Sequence, residues 1–174
     1  MTTYPHTIDN GNGEQLTFVG RTVRDNIEYL EVENCVSPGC GPPMHVHLRQ
    51  EESITVMEGL MATQLKGGDV KYLAQGETCS FKPGIMHKFW NAGDTMLRCR
   101  GEVWPADNLE YFLTEIYKST KINKGRPSAF DAAWLLNRFK DEFDMDLPLP
   151  VKKVVFPITL FTGRLLSWHK KYNR

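Results

Sequence analysis

The chain has 174 residues, 41% hydrophobic and 24% charged, which is ordinary for a globular protein with room for a substantial core. Its 21 lysines and arginines balance 21 aspartates and glutamates. That balance excludes a global field that would steer the chain toward nucleic acid or anionic lipid. The longest apolar run, residues 154–162, is broken by Pro157 and is too short to span a bilayer. Residues 1–12 are polar and lack the profile of a secretion signal. Cys35, Cys40, Cys79 and Cys99 lack the close pairing of a zinc site, so reduced thiols and a cytoplasmic address are expected.

In chain order, the N-terminus reads as a mobile arm carrying His6. Short strands follow at 16–23 and 27–32, on either side of an Asp25-Asn26 turn. Strands at 60–65 and 69–73 flank Lys66-Gly67-Gly68, a hairpin signal, and further strands are predicted at 78–81, 88–91 and 95–103. Many short strands without intervening helices predict a mainly β chain, an antiparallel β-barrel or jelly roll. Residues 108–117 then show apolar positions at helical spacing, 119–126 reads as a polar linker, and 127–143 as a second helix. The tail, 147–172, is punctuated by proline and then apolar with interleaved basic residues, and is expected to hold a third helix. The expected organisation is a β domain over 1–105 and a helical appendage over 106–174.

The chemistry concentrates at His45-Val46-His47, Glu52 and His87. On a strand, positions i and i+2 point to one face; on a helix they would diverge by about 200°. Strand parity selects Glu52 over Glu51, because Glu52 alternates with apolar Ile54 and Val56 while Glu51 alternates with Ser53 and Thr55. The last strand divides the same way, with Leu97, Cys99, Gly101 and Val103 inward and Arg98, Arg100 and Glu102 outward. Cys99 and Cys79 therefore read as packing residues. Three imidazoles and a carboxylate suit one divalent transition metal: iron, manganese, nickel, copper or zinc.

The spacing Gly39, His45, His47, Glu52, Gly59 resembles the first motif of the cupin superfamily, and Gly76, Lys82-Pro83-Gly84, His87, Asn91 its second. Lysine stands where the family usually has the first proline, a turn position that ligates nothing. The resemblance spans roughly residues 15–104 and implies a cupin barrel with His45, His47, Glu52 and His87 as metal ligands. It implies, by likeness to quercetinase-like cupin dioxygenases, a metal-dependent enzyme in which Glu52 also serves as a catalytic base. A non-catalytic sensing module and a sugar isomerase or epimerase stand as alternatives.

Met44, Met57, Phe81, Phe89 and Trp90 neighbour the ligands in sequence; parity puts Phe89 with His87 and turns Trp90 away. No lysine or arginine occupies an inward strand position, since Lys82 and Lys88 read as turn or exposed residues. A small, weakly polar or aromatic substrate is therefore expected. His6 and His169 read as surface residues. The basic tail could lie on a membrane surface, but packing on the barrel or across a dimer is expected, because Asp141, Glu142, Asp144 and Asp146 could neutralise it. The apolar appendage, with Phe112, Trp134 and Phe139, exceeds what it can bury alone, so a homodimer is expected.

Overall fold

A computed structural model describes residues 3–172; the outermost residues of the two expected domains, Met1, Thr2, Asn173 and Arg174, lie outside the described residues. Eleven strands and three α-helices follow in the order β1 (His6–Asp9), β2 (Glu14–Arg24), β3 (Ile27–Val36), β4 (His45–His47), β5 (Glu51–Glu58), β6 (Met61–Leu65), β7 (Val70–Leu73), β8 (Thr78–Phe81), β9 (His87–Asn91), β10 (Leu97–Trp104), α1 (Leu109–Ile122), α2 (Ala129–Arg138), β11 (Phe143–Met145) and α3 (Phe156–Leu165). The strands form two antiparallel sheets, β1-β2-β3-β10-β5-β8 and β11-β4-β9-β6-β7. They face each other as a jelly roll and do not close into one continuous barrel.

Inward parity falls as the sequence dictates. On β10, Leu97, Cys99, Gly101 and Val103 are buried while Arg98 and Arg100 are exposed. The inner face of the first sheet is covered twice. At one end, Val36, Ile54, Val56, Leu97 and Cys99 pack on Met61, Leu73 and Phe89 of the second sheet. At the other, Leu16, Phe18, Leu30 and Val103 pack on Leu109, Phe112, Leu135 and Phe143 of the segment after β10. Removing that segment would therefore bare the apolar inner face of three strands.

Two expectations are corrected here. The N-terminal arm is ordered strand: His6–Asp9 pairs with β2, with His6 opposite Phe18. The turn between them is built by Asn10, whose side-chain oxygen accepts from the Asn12 and Glu14 amides at 2.7 and 3.2 Å. Gly11 and Gly13 adopt left-handed φ values of 68° and 91°, which glycine tolerates at low cost. The second helix ends at Arg138, five residues before the expected end, and residues 143–145 add a strand to β4. Phe139 and Phe143 keep helical spacing, but both backbone and side chain of Glu142 are engaged elsewhere. Its carbonyl accepts from the Leu48 amide at 2.7 Å. Its carboxylate holds Gln50 at 3.1 Å and the Asn108 amide and side chain at 3.1 and 2.6 Å.

The first helix runs past its expected end and into the predicted linker, to Ile122. Ser119 is buried and donates to Asp131 on α2 at 2.6 Å, joining the two helices. No helix among the described residues is long and apolar enough to cross a membrane.

Glu14 starts β2 inside the core, 6% exposed, and its carboxylate accepts from Asn10 at 2.8 Å. Burial outweighs the bonds from Asn10 and Tyr117 and pushes its pKa from 4.5 up to about 7. Between those values the folded chain keeps a proton that the unfolded chain has lost, so this group's contribution to stability falls as pH rises, and levels off above about 7. Glu14→Gln removes the penalty. Its stability advantage over the native chain in urea denaturation should grow by about 3 kcal/mol between acid and mildly alkaline pH. An advantage independent of pH would contradict the burial of an ionisable Glu14.

Candidate metal centre

The four candidate ligands come from both sheets. β4 supplies His45 and His47 and β9 supplies His87 directly opposite His45, while β5 supplies Glu52 from across the roll. One ligating atom from each lies within 4.8 Å of all the others. Ligands trans to each other on a first-row metal stand about 4 Å apart at ordinary bond lengths, so a small contraction would close the set. The sequence assignment of Glu52 over Glu51 agrees with this placement, because Glu52 carries the only carboxylate in the cluster.

Ring orientation decides whether the donors are usable. The Nδ1 of His45 is 2.8 Å from the Pro43 carbonyl, and the Nδ1 of His87 is 2.9 Å from the Ile85 carbonyl. Each Nδ1–H donates to a carbonyl two residues upstream, which fixes the tautomer and leaves Nε2 directed at the cluster. The Nε2 of His87 is 2.9 Å from Oε2 of Glu52, and the Nε2 of His47 is 3.8 Å from the same oxygen. Both nitrogens of His87 thus have a close oxygen neighbour, and the Glu52 carboxylate lies within reach of two of the three imidazoles.

Electrostatics prepare the other donors. Burial, reinforced by the neighbouring imidazoles, drives His45 down to about 3. Burial likewise lowers His47, against the pull of Glu52. Burial alone would raise Glu52, but the His87 hydrogen bond and the adjacent imidazoles bring it down to about 2. At neutral pH the cluster therefore offers a carboxylate and two neutral imidazoles. The residues fit a divalent transition metal; the donor set does not select among them.

The walls are aromatic. Phe81 stacks on His87 with centroids 3.8 Å apart and planes 5° from parallel. Phe143 meets His47 edge-on at 5.6 Å. The side chains of His87 and His47 are almost closed off, whereas Glu52 keeps 15% exposure and His45 is also partly exposed. Phe89 lies in the interior with His87, as parity predicts, while Trp90 is only half-buried and lies under the Lys88 ammonium. Met57 is 50% exposed and lines nothing. Lys82 is exposed, so neither lysine brings charge to the cluster. Cys79 and Cys99 are free thiols pushed up to about 12 chiefly by burial, and they stay outside it.

The sequence reading missed Phe143 and the strand that carries it. β11 pairs Phe143 with His47 and Met145 with His45, so the backbone of the ligand strand is held by the segment beyond β10. Three residues are too few for alternation to identify a strand, and Phe143 at four residues from Phe139 mimics helix. His6 and His169 lie away from the cluster. His6 is partly buried against Phe18, with ring centroids at 4.8 Å, and His169 stacks on Trp134 at 5.6 Å.

Residues 33–104 match the cupin domain model Cupin_2. Among solved structures, an RmlC-like cupin from Shewanella frigidimarina shares 19% identity over 62% of this chain and 89% of its own, with a TM-score of 0.52. The capsular polysaccharide assembling protein CapF from Staphylococcus aureus shares 19% over 59% of this chain and 31% of its own, at 0.50. KdgF from Halomonas sp. shares 20% over 55% and 82%, at 0.48. At these identities the likeness concerns fold. No curated protein matches the sequence.

Calorimetric titration of the protein with a divalent metal near neutral pH should show about one ion bound per chain, with affinity lowered by at least about tenfold in Glu52→Ala. No binding, or equal binding by the variant, would contradict the cluster as a metal site.

Proposed function

We propose that the chain is a cupin-superfamily protein that binds one divalent transition metal through His45, His47, Glu52 and His87 and acts on a small, weakly polar or aromatic molecule in dioxygenase-like chemistry. The observation that carries this reading is the coincidence of a three-histidine, one-carboxylate cluster with an apolar interior that, among the described residues, no lysine or arginine enters. A bound metal supplies Lewis acidity and, if redox-active, a route for electrons to dioxygen.

The protein's own residues do the rest. Ile54, Phe81 and Phe89 exclude water and give a flat ligand apolar contact. His45, His47 and His87 from one sheet and Glu52 from the other would hold the ion. Glu52, partly exposed like His45, is the carboxylate available to accept a proton from an enol or hydroxyl of the substrate. Its Oε2 lies 2.9 Å from Nε2 of His87.

Oxygen uptake by the metal-loaded protein with aromatic and diketone substrates tests the reading. Turnover is expected, and Glu52→Ala should lower it by about two orders of magnitude while the chain remains folded. Substrate binding without oxygen consumption would replace the enzyme reading with a binding module. Undiminished turnover in Glu52→Ala would remove Glu52 from the chemistry.

A further inference from the structure

The tail carries an apolar face with no covering partner. A wide helical turn, Val151–Val155, leads directly into α3. One side of this segment is committed inward: Phe156 joins the core, and Gly163 lies against the ring of Phe130, where any side chain would clash. On the other side Val154, Ile158, Phe161 and Leu165, spaced four, three and four residues apart, form a single stripe. They are 53%, 59%, 71% and 76% exposed. The expected packing of this face on the barrel is therefore not what the structure shows. Gly163 accounts for the orientation, because only the face without a Cβ fits against Phe130.

Charge identifies the occupant. Residues 147–172 contain five lysines and arginines and no acidic residue. Of the upstream acids expected to neutralise them, Asp146 pairs with Lys66, Glu142 with Gln50 and Asn108, and only Asp144 reaches back, to Lys152. Lys171 pairs with Asp131. Lys153, Arg164 and Lys170 are exposed and, among the described residues, have no acidic partner. Lys153 stands near one end of the stripe and Arg164 near the other, so two copies packing through it in an antiparallel arrangement would bring cation against cation. Parallel packing would do the same. A surface that is apolar at depth and anionic at its rim satisfies both the stripe and the cations.

We propose that α3 and the turn before it form an interfacial anchor that lies on an anionic lipid surface. The stripe enters the acyl boundary, and Lys153, Arg164 and Lys170 meet headgroup phosphates. The segment lies in the membrane plane, consistent with the lack of any described helix long and apolar enough to cross. The inference stands apart from the metal-centre reading and requires no ligand at that site.

Flotation of the full chain with vesicles of phosphatidylcholine, with and without about one third phosphatidylglycerol, tests it. Binding is expected with phosphatidylglycerol present and should weaken as salt is raised. Phe161→Ser/Leu165→Ser and, separately, Lys153→Gln/Arg164→Gln/Lys170→Gln should each reduce it on the order of tenfold. All five positions are exposed, and unchanged melting temperatures would confirm that the variants fold. No binding to either vesicle, or binding by both variants undiminished from the native chain, would overturn the proposal. So would a dimer in light scattering that the Phe161→Ser/Leu165→Ser variant dissolves, which would assign the face to a second copy.

Discussion

The hydrogen bond between Nε2 of His87 and the carboxylate of Glu52 spans the two sheets of the roll. Everything at the centre depends on it. Polar groups in a largely closed interior are tolerable only when their hydrogen-bonding capacity is met. The Ile85 carbonyl meets the other nitrogen of His87, and Phe81 covers its ring. The pair joins the sheet that carries the three histidines to the sheet that carries Glu52, so fold and site are one construction.

The segment after β10 is part of that construction. It covers the inner face of β2, β3 and β10 where the second sheet does not reach. Through β11 it holds the backbone of His45 and His47, and through Glu142 it ties the β4–β5 connection at Gln50 to the start of α1 at Asn108. A disturbance in α1 or α2 therefore has a short physical path to the ligands. Beyond β11 the chain changes character: one face of α3 is packed inward, and the other is apolar, basic at its margins and open.

Much of the centre was legible in the sequence because period-two alternation binds each residue's orientation to that of its neighbours. Ile54 and Val56 settle the orientation of Glu52, and Leu97, Cys99 and Val103 settle that of β10. What could not be read depends on partners distant in sequence. The short strands β1 and β11 exist because the edges of β2 and β4 are there to pair with them. The early end of α2 follows from Glu142 being captured by Gln50 and Asn108, which lie 92 and 34 residues away. The exposure of the α3 stripe follows from Phe130 accepting only Gly163. Residue types alone carry none of these contacts.

Elemental analysis of purified, tag-free protein beside a His45→Ala/His87→Ala control tests the central claim most directly. The account predicts about one transition-metal ion per native chain and loss of that metal in the control. A native chain without metal, or equal metal in the control, would contradict it and leave the four residues as a structural polar cluster only.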